Sequence, residues 1–593
     1  MSATMRTILI LLVLAITILF LTIAGGGLFP TTVGLAVVLL ELTALLVLTF
    51  PVIGNIPSAD ATPRRPTLEV IATAILFYIL MTTLPIPPAL DGLAGSLRHQ
   101  QNQEVVTAFA KAMQAGIPAS ADEPWFSLSR NRAGTMRFFL LVAATFGAFT
   151  LSSSLSARGR IGLLNILTLI GLTVGIAGSI AQWKIPQGNT IWWFIPIPPA
   201  PTLPVGCFLN RNHFGGFVAL LCPAALALVD HFFCRRNWIR MILYMVVTGL
   251  MMGVVFLSLS RGAILALTAG LAVTTMVIAY RHRTVWGLTL FILIAAGGIA
   301  VFGQTSIVRD RFTDLYHSKG SYQSRLSEWR ETIRVFPSYP FIGAGMNALR
   351  MVYPQHRQTS VSARLIHAEN EYVQLLVEGG AIGVVLTVAL IAAMRRRLRE
   401  AVSSPPEAAV VAGVGALTVT GVHCLFDFPA HLPLYALVAG AIAGLLFPAP
   451  PTGTGWRKAL VLLPTLTGLA VTLLLVNQPA NLKNMDDPEY LYQAQYRELC
   501  QAMVWAPTSS AWEYLGYAMY REGSNRRDHE LSATGESFVT HAAILDPQNY
   551  WLWYHLGEMR LALKDNPGAA DAFKRANALR AWLKPPRIPE ETK

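Results

Sequence analysis

Hydrophobic runs long enough to cross a bilayer recur along this chain from its start to about Val476. They fall near residues 7–24, 31–53, 67–85, 136–154, 161–183, 214–233, 241–259, 262–280, 285–302, 371–393, 407–425, 432–448 and 459–476. Each is close to the roughly 20 residues that a membrane helix needs. In lipid every backbone N–H and C=O must be satisfied within the protein, so only helices or closed barrels can span it. Continuous rather than alternating apolar runs select helices. The expected fold is therefore all-α. Residues 1–476 form a polytopic bundle of about thirteen transmembrane helices, and residues 477–593 form a small helical domain. The first run is followed at once by further spans, so it is expected to stay as a helix rather than leave as a signal peptide.

Composition supports this. Hydrophobic residues make up 53% of the 593 and charged residues 13%, against about 25% charged in a soluble protein. The net charge of +13 does not point to nucleic acid, because the positive residues sit in loops between the runs. Zinc-type cysteine pairs and a P-loop are lacking. Cys207, Cys222, Cys234, Cys424 and Cys500 are scattered, several within apolar runs, and read as core residues rather than a disulfide framework.

Charge sets the orientation. Short loops carry Arg64–Arg65, Arg158 and Arg160, Arg235–Arg236 with Arg240, Arg281 with Arg283, Arg395 to Arg397 with Arg399, and Arg457–Lys458. All fall on one side if the N-terminus is cytoplasmic, and the positive-inside rule makes that side the cytoplasm. Loops 86–135, 184–213, 303–370 and 426–431 then face outward, with the C-terminal domain. Loop 86–135 contains EVVTAFAKAMQAGIPA, expected as an amphipathic helix lying on the membrane. Loop 184–213, with TIWWFIPIPPAP, suits an interfacial aromatic belt. Loop 303–370 is too long for a plain connector and carries Arg309, Arg311, Arg325, Arg330, Arg334, Arg350, Arg357 and Arg364.

The outer tail has tetratricopeptide spacing at Trp553, Leu556, Gly557, Ala569, Phe573 and Ala576. A looser earlier copy has Trp512, Leu515 and Gly516, then Ala542 and Pro547. Two degenerate units are fewer than an independent solenoid needs, so the tail is expected to lean on the membrane domain or a partner. An ordinary helical hairpin domain is the alternative.

Five polar motifs stand at the outer side. In GCFLNRNHFGG, Arg211, Asn212 and His213 meet the mouth of a span, as cavity lining or as snorkelling anchors. In SLSRGAILAL, Arg261 stands between two apolar runs, where an arginine needs an anion or carbonyl partner. In SYQSRLSEWRETIRVFPSYPFIGAGMNAL, Arg325 and Trp329 share a helix face, and the glycines of FIGAGMNAL allow a close backbone approach. HAENEYVQLLVEGGAIG puts His367, Glu369 and Asn370 at the head of a span. Gly379, Gly380 and Gly383 there suit helix packing. An acid/base group beside guanidinium groups fits chemistry on a phosphate-bearing substrate. In GVHCLFDFPAHLP, His423, Asp427 and His431 have metal-like spacing, but Pro429 breaks the helix and the sequence puts no second carboxylate near. They are expected to form a hydrogen-bonded gate rather than a metal site.

From about Pro204 to Pro433 the chain resembles the bacterial O-antigen ligase and polymerase family, which also holds protein O-oligosaccharyltransferases. N-R-N-H-F-G-G is similar to the family's N-x-N-H motif, S-R-G-A-I-L to its R-x3-L motif and S-R-L-S-E-W to its loop arginine motif. Glu369 to Gly383 resembles H-N-x9-G-x2-G, and D-F-P-A-H-L-P a late D-F-x4-P segment. The resemblance implies a bundle of the GT-C type in the bacterial inner membrane, sometimes with a periplasmic tetratricopeptide-like domain. It implies transfer of a glycan from undecaprenyl pyrophosphate to an acceptor hydroxyl at the periplasmic face, with inversion and without a metal or other cofactor. Arg261, Arg325 and Arg211 would bind the pyrophosphate, and Asn212, His213, Trp329, Asn370 and Asp427 would line the cavity. The acceptor would be a glycan, a lipid or a protein.

The register fixes Asn370, Gly380 and Gly383, and the family's catalytic histidine then falls on Glu369. Either Glu369 is the base, or His367 reaches in from two residues upstream. A transporter of lipid-linked sugars is the competing class. It would show internal repeats and mid-membrane charge, whereas the charges here gather at the outer edge.

Overall fold

The structure, a computed structural model, describes residues 2–24, 30–49, 67–87, 96–114, 125–184, 190–192, 195–196, 205–282, 319–358, 366–402, 407–447, 467–468, 471, 496–505 and 507–580. The expected span at 285–302 lies outside them, as do nearly all of 459–476 and the residues Arg64, Arg65, Arg283, Arg309, Arg311, Arg364, Arg457 and Lys458.

Helices dominate. In chain order they are α1 (Ala3–Ile23), α2 (Pro30–Thr49), α3 (Thr67–Thr83), α4 (Ser96–Gln114), α5 (Arg132–Ser153), α6 (Ala157–Lys184), α7 (Arg211–Cys234), α8 (Trp238–Leu257), α9 (Arg261–His282), α10 (Lys319–Ile333), α11 (Leu349–Val352), α12 (Glu371–Val402), α13 (Ala408–His423), α14 (Pro433–Leu446), α15 (Tyr496–Trp505), α16 (Ser509–Arg526), α17 (His529–Leu545), α18 (Tyr550–Ala562) and α19 (Asn566–Leu579). Between α6 and α7, Thr190–Ile191 and Ile195–Pro196 pair as two short antiparallel strands. Trp192, at the turn between them, donates its indole N–H to Thr22 O at 2.8 Å, closing the end of α1.

Among the described residues, seven helices are long and apolar enough to cross a membrane, and four shorter apolar ones join them. All eleven match expected runs, so the chain is an all-α polytopic membrane protein. Their ends are set by local chemistry. Asn131, Asn210 and Asn237 accept backbone N–H bonds at the starts of α5, α7 and α8, the usual role of an asparagine cap. Helix α7 is at the centre, with Phe214, Phe217, Leu220, Leu221 and Leu228 all buried. At the rim, Ile239, Ile242, Leu243 and Val246 of α8 and Val385, Val388 and Ile391 of α12 are exposed, which suits contact with lipid tails.

The two ends of the bundle differ. At one end Arg160 pairs with Glu407 at 2.9 Å, Arg396 donates to Thr67 at 2.8 Å, and Arg281 pairs with Asp230 at 2.8 Å. Asp230 also meets His282 at 2.6 Å, beside Cys234. Its two oxygens are thus engaged in an ion-pair cluster. The opposite end carries the starts of α7, α9, α12 and α14.

The amphipathic helix expected on the membrane is α4, and its partner is different. Val105, Ala108, Phe109 and Ala112 are buried in one cluster with Leu499, Met503, Trp512 and Val539 of the C-terminal domain. Its apolar stripe satisfies itself against protein rather than lipid. That domain is built of hairpins, α16 with α17 and α18 with α19. At the first crossing Gly516 and Gly535 let two backbones touch: a Cβ on Gly516 would lie 2.6 Å from Gly535 O. Arg560 ties the hairpins together through Glu536 at 2.7 Å. The domain leans on the rest of the chain, with Arg357–Asp546 at 3.5 Å and His541–Glu104 at 3.6 Å.

Candidate active site at the head of the broken helix

Helix α12 is broken at Gly380, whose φ of 57° and ψ of −164° are not helical. A break frees backbone groups that must find partners. Segment 340–345, Pro340 and the first half of FIGAGMNAL, supplies them. Ala344 N–H bonds Val377 O at 2.9 Å and Gly345 N–H bonds Glu378 O at 3.0 Å. From the other side, Ala381 N–H bonds Pro340 O at 2.9 Å and Ile382 N–H bonds Phe341 O at 3.1 Å. The two chains cross so closely that a Cβ on Gly343 would lie 2.2 Å from Glu378 O, and one on Gly380 2.4 Å from Gly343 N. Both glycines also have positive φ. The close approach expected from the FIGAG glycines is thus present, and Gly380 serves a helix break as well as packing.

The residues ahead of the break form two tiers. In the outer tier Arg325 of α10 pairs with Glu369, each side chain 32% exposed. One turn along α10, Trp329 donates its indole N–H to Ala368 O at 2.9 Å. The α10 face expected to carry Arg325 and Trp329 therefore meets the head of α12. Glu369 has φ of 47°, a left-handed conformation costing roughly 1–2 kcal/mol for a residue with a Cβ. Such strain persists where the surroundings over-determine it. Here Ala368 is held on both faces, by Trp329 and by its N–H bond to Gln374 Oε1 at 3.1 Å. On the other side of Glu369, Asn370 caps α12 through bonds from Tyr372 and Val373 N–H at 3.0 and 3.1 Å. Asn370 is buried as a cap.

In the inner tier, His431 lies between two glutamates of α12. Its Nδ1 is 3.2 Å from Glu371 and its Nε2 3.4 Å from Glu378. Burial works against a charge on this imidazole, yet the two carboxylates outweigh it and push it up to about 10. Glu371 also accepts from Ala430 N–H at 2.6 Å. Glu378 accepts from the N–H groups of Asn347 and Leu349 at 2.8 and 2.9 Å, which fixes the segment after FIGAG. The expectation that no second carboxylate lies near His431 is corrected: sequence distance hid Glu371 and Glu378, which the fold brings to it.

Gln374 links the tiers. Its Oε1 takes the Ala368 N–H, so its Nε2 is the end that faces His367 Nδ1 at 3.0 Å and Glu378 Oε1 at 3.2 Å. An amide nitrogen has no lone pair to offer, so His367 Nδ1 accepts and its Nε2 carries the proton. Burial, reinforced by the nearby His431, holds His367 well below its ordinary value, so the ring is neutral. In this arrangement His367 has no free lone pair, whereas the Glu369 carboxylate is one-third exposed.

Phe428 divides this region from a third group. His367 stacks on its ring at 4.0 Å, and His213 meets it edge-on at 4.8 Å. Behind it Asp427 sits between His213 at 3.2 Å and His423 at 3.1 Å. Burial opposes its charge, but the two imidazoles hold its carboxyl well below the usual range. His423, Asp427 and His431 therefore do not form one set; His431 turns to α12 instead. Arg211 and Asn212 are half-buried in the first turn of α7, and Arg261 is half-buried at the first position of α9. Gly262 lies against Phe426, which places Arg261 at the same end as His213 and Asp427.

Gln374, Glu371, Glu378 and Phe428 were missed from sequence. The signal was available: positions 371, 374 and 378 are spaced i, i+3 and i+7, a polar stripe along one face of an apolar helix.

A family model described as O-antigen ligase, Wzy_C, matches residues 246–388. No curated protein matches the chain. The matched stretch contains Arg261, Arg325, Trp329, His367, Glu369 and the helix break, while Arg211, Asn212, His213 and Asp427 lie outside it. Residues 246–388 are thus similar to the O-antigen ligase family, and that similarity supports a membrane glycan ligase or polymerase in general.

Proposed function

We propose that this protein transfers a glycan from an undecaprenyl-pyrophosphate-linked donor to an acceptor hydroxyl at the periplasmic face of the bacterial inner membrane. The observation that carries this is the meeting of Arg325 and Glu369 at the head of α12, a cation for the leaving group beside a carboxylate for the acceptor proton. Glu369 takes the position where the family has histidine, and the occupied Nδ1 of His367 favours Glu369 as the base. The transfer is inverting and metal-independent, with Arg211, Arg261 and Arg325 offsetting the pyrophosphate charge as it leaves. The C-terminal hairpins are tetratricopeptide-like and periplasmic.

The test is transfer by purified protein supplied with lipid-linked glycan and, in turn, glycan, lipid and protein acceptors. Glu369→Gln should lower turnover by about 10²–10⁴-fold, the usual range for a general base. Full turnover in that variant would sink the assignment. Cleavage of the C-terminal domain by protease from the cytoplasmic side alone would overturn the orientation.

A further inference from the structure

In the structure the proposed base is paired with the proposed donor-binding cation. Glu369 and Arg325 contact each other directly through one oxygen and one nitrogen, so while the pair holds each group competes with a substrate for the other. The two partners differ in freedom. Glu369 sits between Ala368, bonded on both faces, and Asn370, locked as a helix cap. Arg325 reaches over on a long side chain, one-third exposed. In any exchange, the arginine is the part that moves.

In-line displacement puts the attacking hydroxyl and the leaving pyrophosphate on opposite sides of the anomeric carbon. One guanidinium therefore cannot stay on the base and serve the leaving group together. A pyrophosphate carries more negative charge than a carboxylate and offers a matched bidentate face to arginine. We propose that the Arg325–Glu369 pair is a donor-operated latch: the pyrophosphate of the lipid-linked donor draws Arg325 off Glu369, and Glu369 becomes able to take the acceptor proton once the donor is seated. The latch rests on the functional reading above.

The step balances. The acceptor O–H bond breaks and its proton goes to the Glu369 carboxylate. The acceptor oxygen bonds the anomeric carbon, and the bond from that carbon to phosphate oxygen breaks. The electron pair leaves with the lipid pyrophosphate, held by Arg325. Binding is ordered, donor before acceptor, and without donor the base is masked.

The test is binding without acceptor, on the full-length protein, with undecaprenyl pyrophosphate as probe and inorganic pyrophosphate as a second one. Removing the competing carboxylate should tighten binding, about two- to fivefold for Glu369→Gln, from the strength of a one-third-exposed ion pair. Arg325→Ala should weaken binding, and adding Glu369→Gln to it should give no gain, because the competition is gone. Unchanged or weaker binding by Glu369→Gln overturns the latch, as does an equal gain in the Arg325→Ala background. Glu369→Ala, checked by its melting curve, repeats the measurement should the glutamine variant misfold. Failure of the base assignment is separate: it would show as full transfer by Glu369→Gln, whichever way binding moved.

Discussion

Two ion-pair systems lie a few residues apart at the head of α12, and they are built differently. The outer one is a single pair, Arg325 with Glu369, one-third exposed and joined by one flexible side chain. The inner one is closed. His431 is held by Glu371 and Glu378, and Glu378 also holds two backbone N–H groups and Gln374. Exposed pairs contribute little to stability and exchange partners readily. Buried networks are costly to break because each lost partner leaves a charge or donor without solvent. The comparison assigns exchange to the outer tier and shape to the inner one.

The largest effect should come from breaking the inner tier. Glu378→Ala should destabilise the fold by about 3–5 kcal/mol, seen as a large drop in melting temperature in detergent; a melt close to that of the unaltered protein would erase the distinction between the tiers. Next is Gly380→Val, which must place a branched Cβ at positive φ against Gly343 N. It should cost about 1–3 kcal/mol and lower transfer by displacing the segment that carries Glu369. The third is a pH effect. The folded value of His431 is raised to about 10 from an ordinary value near 6.5. Its contribution is therefore whole below about pH 6.5 and is lost as pH rises towards about 10. Melting temperature should fall across that window, and His431→Asn should flatten the fall. The smallest stability change belongs to Arg325→Ala, under about 1 kcal/mol, although its transfer rate should collapse. A melt shifted as far as that of Glu378→Ala would make the outer pair structural.

Much of this was legible in the sequence. The apolar runs gave the spans because lipid permits few solutions to the backbone hydrogen-bond problem. Motif spacing put Glu369 in register, and the helix face of Arg325 and Trp329 followed from a four-residue step. The inner tier was harder to see, since three polar positions in α12 vanish in the average hydropathy of a long helix. His431 could not be matched to Glu371 from sequence, because some sixty residues separate them and the fold alone joins them. The α4 stripe was misread for another reason. Amphipathicity reports that a face must be covered and is silent on whether lipid or protein covers it.

Helix α4 has a second contact besides its cluster with the C-terminal domain. Arg98, almost fully buried, donates to Gly343 O at 2.8 Å, within the segment that plugs the break in α12. One helix thus touches the C-terminal domain along its stripe and the plug near its start. The C-terminal domain is consequently not an interchangeable cassette. Trimming it would bare Val105 and Phe109 to water, and grafting another in its place would require a surface cut to fit α4.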